Sequence, residues 1–407
     1  MNQITNTMKI IFMQRILIII ISLSGFQIYS QNPDSTKTKN EFAFSGYFDV
    51  YYTFNLNNPA SRNNLGNSGV CRLFDKYSGA FQVGMLLTRF SYTTKKTKMV
   101  AEVGFGPNID YARYGSSYSH KWGTVIANST YGALMIKQAY IEYTPIKKLT
   151  FTIGQFGTPI GFEVLDTPLN INYSINNTCN SGTPFYHLGI KATYKFNDKI
   201  RLMSGLVNGA DEINDNNRGK SYIGQLVVSP TSKLNIYFNT IQGNEGNANN
   251  LGQNVKAYFG VLDLIIQYQM NNKLLLCGWF VLGTAKGDVQ GMVIGPELKN
   301  WSGTILYAKY NFLDKLALGT RLEYFNNNSG ARALLTDGKG TSVIDYTLTG
   351  IISLANGNLQ LKPEFRIDIF NREKNGTIQQ FEDSSGNFSK NKQSTIGLAA
   401  IYVFKVN

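Results

Sequence analysis

The sequence predicts an all-β fold: a transmembrane, up-and-down antiparallel β-barrel of about sixteen strands, with short periplasmic turns and long outer loops. Three observations predict it. Apolar and polar residues alternate with a period of two through many short segments. The connections between those segments alternate strictly between tight and long. The chain opens with an export signal, and no later stretch resembles a membrane-spanning helix.

Residues 1–30 are set apart as a secretory signal peptide. Lys9 and Arg15 precede an apolar run over 16–26, and Ser30 supplies a small residue before a cut at Gln31. The run is about half of the roughly 20 residues that a membrane span needs. The polar stretch 31–41 is a periplasmic lead, and 42–407 forms the barrel.

The first strand, 42–55, carries the cleanest pattern. Phe42, Phe44, Phe48, Val50, Tyr52 and Phe54 alternate with Ala43, Ser45, Tyr47, Asp49, Tyr51 and Thr53, so one set faces lipid and the other water. Further strands are expected at 80–94, 98–108, 132–144, 149–157, 185–196, 200–208, 221–229 and 233–242. The rest fall at 255–270, 273–284, 301–312, 315–326, 342–354, 358–371 and 393–406. Seven connections are tight, at 95–98, 145–148, 197–199, 229–233, 271–273, 313–315 and 355–358, and the other eight are long. A sixteen-stranded barrel with both ends on one side needs eight connections on one rim and seven on the other, so the count closes. A soluble sandwich or propeller has no reason to alternate loop length. Six of the seven tight turns contain lysine, read as solvated turn charge, with contact to anionic headgroups as the other reading.

The stretch 135–164 anchors the rest. In its first arm Met135, Ala139, Ile141 and Tyr143 share one face, while Gln138, Tyr140 and Glu142 share the other. Pro159 and Gly161 stop the second arm and open the longest loop, which runs to about residue 184. The last strand turns Ile396, Leu398, Ala400, Tyr402, Phe404 and Val406 to one face. The chain ends in Asn407 rather than in the terminal aromatic usual for closing strands, with Phe404 as the nearest one.

Composition fits such a sheet: 43% hydrophobic and 13% aromatic residues are diluted by alternation. The net charge of +13 falls to +11 without Lys9 and Arg15. Its lysines sit mainly in turns and form no basic helix or stacking motif, which argues against a nucleic-acid partner. The three cysteines, Cys71, Cys179 and Cys277, lack CxxC spacing, so no zinc site is expected. Cys71 and Cys179 read as free loop thiols, with a disulfide between them as the alternative. Cys277, in LLLCGWFVLG, reads as a small packed hydrophobe.

Several segments resemble the OmpL-like outer-membrane β-barrel porins, a family of Gram-negative channel proteins. They are GYFDVYYTFNLNNP at 46–59, QAYIEY at 138–143, GQFGTPIGFE at 154–163, VNGAD at 207–211 and LKPEFRID at 361–368. The resemblance spans nearly all of the chain after the signal peptide and implies a cell outer-membrane porin with passive passage of small hydrophilic solutes or ions. It implies no catalytic residues and no solute identity.

Function is then expected on inward faces of an aqueous lumen. Leu359, Leu361, Phe365, Ile367 and Ile369 face lipid, which points Lys362, Glu364, Arg366 and Asp368 into the lumen. The same alternation turns in Arg321 and Glu323, and Lys191 and Lys195. An Arg or Lys on the lipid face near the midplane would cost roughly 2–4 kcal/mol. These charges either pair across strands or tune ion selectivity. By analogy with porins whose third outer loop folds inward, the loop over 158–184 is the candidate constriction; if its Glu163 and Asp166 both project into the pore, they would face a mainly basic wall and set up a transverse field. Gly189, Gly319 and Gly397 at inward positions favour an open lumen.

Enzyme readings lack support. His120 and His187 are the only histidines, no serine sits in GxSxG, and no Walker-type glycine loop is present. No cofactor or metal is expected. The expected partners are outer-membrane lipid, small hydrophilic solutes and the barrel-assembly machinery, with a homo-oligomer left open. The alternative function is a structural or adhesive barrel that has a closed lumen and acts through its outer loops.

Overall fold

In a computed structural model, the described residues are 40–112, 134–213, 215, 217–246, 257–289, 292–372 and 378–406. The signal peptide and most of the periplasmic lead lie outside them. Sixteen strands form one ring: β1 (Glu41–Asn55), β2 (Ala80–Thr93), β3 (Thr97–Phe105), β4 (Leu134–Ile146), β5 (Leu149–Gly157), β6 (Tyr186–Lys195), β7 (Ile200–Val207) and β8 (Ser221–Thr231). They continue as β9 (Leu234–Gly243), β10 (Tyr258–Gln269), β11 (Leu274–Val289), β12 (Met292–Leu313), β13 (Leu316–Asn327), β14 (Lys339–Leu354), β15 (Leu359–Phe370) and β16 (Lys392–Val406). Each pairs antiparallel with its neighbour in sequence, and β1 closes on β16 from Phe44 opposite Val406 to Asn55 opposite Thr395. A closed ring leaves no strand edge with bare peptide groups, the condition for crossing hydrocarbon.

The alternation is obeyed where the sequence is clearest. Along β13 every second residue is buried, and Leu318, Leu322 and Tyr324 are exposed on the outer face. On β16, Ile396, Leu398, Tyr402 and Val406 are likewise exposed, while Ala399 and Ile401 are buried inside. All seven tight turns are present.

Three strands, β3, β11 and β12, end elsewhere than the sequence suggests. β3 stops at Phe105, because Gly106 takes φ +112° and Pro107 begins a short helix, α1 (Pro107–Tyr111). β11 and β12 run beyond the expected boundaries and pair as far as Val289 opposite Met292. Most of the loop expected there is a hairpin extension. Irregular register at Gly287 opposite Gly295, both at positive φ, breaks the alternation that would have revealed it.

The interior is divided. On β7 to β12 the inward residues are largely apolar, among them Val207, Ile223, Ile241, Phe259, Val261, Trp279, Trp301 and Ile305. On β13 to β15 a band of them is ionisable, from Arg321 and Glu323 through Asp345 to Lys362, Glu364, Arg366 and Asp368. The segment between β5 and β6 lies in the space between these walls, with Ile160, Leu165, Ile171 and Ile175 joining the apolar cluster.

Candidate functional site: the charged lumen wall and its inward loop

Register builds the charged wall. Arg321 and Glu323 of β13, Asp345 and Thr347 of β14, and Lys362, Glu364, Arg366 and Asp368 of β15 all point inward and are buried. Thr347 lies between Arg321 and Arg366, and Asp345 between Glu323 and Asp368. A row of three acids would repel. The arginines one rung away offset this: Arg321 Nη2 is 2.9 Å from Asp345 Oδ2, and Arg366 Nε is 2.5 Å from the same oxygen. Arg366 Nη2 also reaches Asp368 at 2.6 Å, and Arg72 closes the far side of Asp368 at 3.1 Å while pairing with Asp75.

The loop docks on this wall chiefly through its own peptide groups. Glu364 accepts hydrogen bonds from the Tyr173 and Ser174 amides at 2.7 and 3.0 Å. Glu323 accepts from the Asn177 and Thr178 amides at 2.9 and 2.7 Å, and from the Thr178 hydroxyl at 2.7 Å. The cations take the carbonyls: Arg321 donates to Ser174 O at 2.6 Å, Arg366 to Ile175 O at 2.7 Å, and Lys362 to Thr167 O and Asn170 O at 2.7 and 2.6 Å. The loop then turns into one short helix, α2 (Asn177–Gly182), where the Asn176 side chain accepts from the Cys179 amide at 2.6 Å.

On the apolar side Trp301 Nε1 donates to Gly182 O at 2.9 Å. Asp263 accepts from Trp279 and Asn239, and from the Gly161 amide at 3.2 Å. Asp263 thus fixes the point where the loop enters.

Glu163 and Asp166 are both buried, in different surroundings. Glu163 Oε1 is 2.7 Å from Arg321 Nη1, and its other oxygen accepts from the Asn176 amide at 2.7 Å. Asp166 is 2.6 Å from Lys137 Nζ, which also reaches Glu102 at 3.0 Å. The acids do not project freely into a pore to set up a transverse field: Glu163 is paired with Arg321 and Asp166 with Lys137. The wall itself is not mainly basic, since Glu323, Asp345, Glu364 and Asp368 stand beside Lys362, Arg321 and Arg366.

Lys137 was not singled out by sequence. A β-bulge explains why: the β3–β4 register shifts between Glu102 opposite Gln138 and Val103 opposite Ile136, so Lys137 is the extra residue of the bulge and turns inward with Gln138. Ile136, exposed, takes the outer face with Ile141 and Tyr143, so the unbroken face expected from Met135 to Tyr143 is interrupted. The signal was present, because unbroken alternation would have put Lys137 into lipid.

The remaining expected wall residues stand apart. Lys191 Nζ lies 4.0 Å over the Phe156 ring. Lys195 is at the turn end of β6, 2.7 Å from Asp198, and partly exposed. Of the inward glycines, Gly319 does not leave the lumen open, whereas Gly189 and Gly397 lie against the neighbouring strands. A Cβ on Gly319 would stand 2.3 Å from Ile171 Cγ2, and one on Gly303 2.3 Å from the Thr178 hydroxyl, so the loop occupies the room they provide. Cys71, Cys179 and Cys277 are free and buried. Burial pushes the Cys71 thiol up to about 12 and raises the Cys179 thiol. Among the described residues no group of acids, cysteines or histidines is arranged to hold a metal ion.

A closed sixteen-stranded ring with an apolar outer face, a charged inner wall and an inward loop defines an outer-membrane channel protein. The chain belongs to the family described as "Putative beta-barrel porin-2, OmpL-like", whose model matches residues 41–404. It is an outer-membrane porin. No curated protein sequence matches it. Solved structures share its fold at low identity. The outer-membrane channel DcaP of Acinetobacter baumannii is 12% identical, with TM-score 0.55, covering 91% of this chain and 99% of that one. An anion-selective porin from Comamonas acidovorans is 11% identical, with TM-score 0.55, covering 90% and 100%. OmpT of Vibrio cholerae, in its trimer form, is 12% identical, with TM-score 0.55, covering 90% and 99%.

Proposed function

We propose that this porin is a passive diffusion channel for small hydrophilic solutes or ions, narrowed by the loop over 158–184. Lys191, Lys195, Arg321, Glu323, Lys362, Glu364, Arg366 and Asp368 serve as its lumen wall, and Glu163 and Asp166 as acids of the constriction. The observation that carries this reading is the inner wall of ionisable side chains met by a loop that crosses from the apolar wall to reach it. Transport requires no chemistry at these groups, so the chain is not an enzyme. Both signs of charge stand side by side, which supports weak ion selectivity rather than strong discrimination. Residues 1–30 direct export and are removed, the assembly machinery inserts the barrel into outer-membrane lipid, and a homo-oligomer is the assembled form.

The test is conductance of the refolded chain in a planar bilayer, with a salt gradient to read ion preference. Stepwise conductance with a small reversal potential is expected. A folded barrel that passes no current would overturn the diffusion reading, and would favour a closed barrel that acts through its outer loops.

A further inference from the structure

The charged wall binds its loop largely through peptide groups, over a bent run that leads into the first turn of α2. From Tyr173 to Thr178, the amides of Tyr173, Ser174, Asn177 and Thr178 all go to wall carboxylates, two to Glu364 and two to Glu323. Over the same run the carbonyls of Ser174 and Ile175 are taken by Arg321 and Arg366. These contacts are to backbone atoms, so their pattern of donors and acceptors is common to every peptide. Side chains add to them: the Thr178 hydroxyl and the Asn177 side-chain amide also donate to Glu323, and the Asn172 side chain donates to Thr349.

We propose that the lumen wall of this porin is a peptide-recognition array, that its own loop fills the array as an internal stand-in, and that short peptides are the preferred solutes. The proposal rests on the channel reading and names its substrate class. Wall carboxylates and guanidinium groups buried without partners are strongly disfavoured, so the loop cannot simply leave a dry wall. A solute that displaces it must bring closely spaced N–H donors to Glu323 and Glu364 and carbonyl acceptors to the arginines. A peptide carries separate N–H donors and carbonyl acceptors at the spacing the loop shows; sugar hydroxyls can donate and accept, but not at the fixed spacing of a peptide backbone. Trp301 and Trp279 on the opposite wall hold the two ends of the loop, at Gly182 and beside Gly161, so the middle can leave while both ends stay anchored.

The test compares entry of trialanine with that of a disaccharide of similar size into liposomes holding the refolded chain. The preference for the peptide is expected to be roughly tenfold, the factor of a single charge-assisted hydrogen bond. A second variant makes loop movement visible. A Cβ built on Gly319 stands 3.7 Å from Ile171 Cβ, close to the separation of about 3.8 Å in disulfides, so Ile171→Cys with Gly319→Cys can tie loop to wall. In a background with Cys71, Cys179 and Cys277 changed to alanine, oxidation should abolish trialanine entry and reduction restore it. Gel mobility before and after heating confirms that each variant is folded. Equal entry of peptide and sugar, or peptide entry indifferent to the disulfide, would overturn the peptide proposal and leave a general porin. Absence of salt conductance as well as solute entry would overturn both readings.

Discussion

Arg321 shows how one side chain can determine where the loop lies. Its guanidinium donates to Asp345 at 3.3 and 2.9 Å, to Glu163 at 2.7 Å, to Ser174 O at 2.6 Å and to Thr347 at 3.0 Å, which engages all five of its N–H groups. Two of these partners belong to the loop and the others to the wall. Arg321→Ala would leave Glu163 buried without its cation, and breaking a buried pair in this way costs about 3–5 kcal/mol. Asp345 keeps Arg366, so the wall survives while the loop loses its contacts through Glu163 and Ser174. Arg321→Ala should therefore release the loop without unfolding the barrel. Limited chymotrypsin digestion would read this as new cleavage at Phe162 and Tyr173, with heat-modifiable mobility on gels unchanged. A loop that stays resistant to the protease would show that Lys362 and Arg366 hold it without Arg321.

At the scale of elements, the strands and their neighbour-to-neighbour pairing were legible in the sequence, and the contacts of the inward loop were not. The β15 run LQLKPEFRIDIF permits one orientation, since turning it over would put four ionisable residues into hydrocarbon, and Lys362 to Asp368 are indeed inward. The loop over 158–184 has neither helical nor strand period, so nothing in its sequence shows that Ser174 O meets Arg321 or that Asp166 meets Lys137. Those contacts join residues more than a hundred positions apart, or depend on a bulge. The inward glycines illustrate the limit: their small size was evident, but whether water or the loop takes the space depends on tertiary packing. Gly303→Val tests this. Even its Cβ would stand within 2.6 Å of the Thr178 side chain, so the added methyls must push α2 off Glu323. Because β12 pairs on both sides through backbone bonds, the barrel should keep its fold while conductance rises and becomes noisier. Unchanged conductance would mean that the end of the loop near α2 does not limit the pore.

At the scale of the whole molecule, stability in lipid depends on closure. Every barrel strand has two neighbours, and the ring is completed only when β16 pairs with β1 on one side and β15 on the other. Tyr402 is opposite both Phe48 and Leu359, so each residue near the C-terminus holds two ladders. Deleting 400–406 would remove the β1 pairing from Phe44 to Val50 and leave that edge unpaired at membrane depth. Each orphaned peptide group in hydrocarbon costs several kcal/mol, with no water to take its place. A single wrong side chain is far milder: Leu398→Arg, on the outer face, costs roughly 2–4 kcal/mol near the midplane and less toward the rims. The Leu398→Arg chain should therefore still show the compact, heat-modifiable band after refolding into lipid or detergent, with a lower denaturant midpoint. The truncated chain should show no such band at any temperature. A truncated chain that still migrates as a compact barrel would mean that β1 and β15 can close without the end of β16, and that the ring tolerates a missing half-strand.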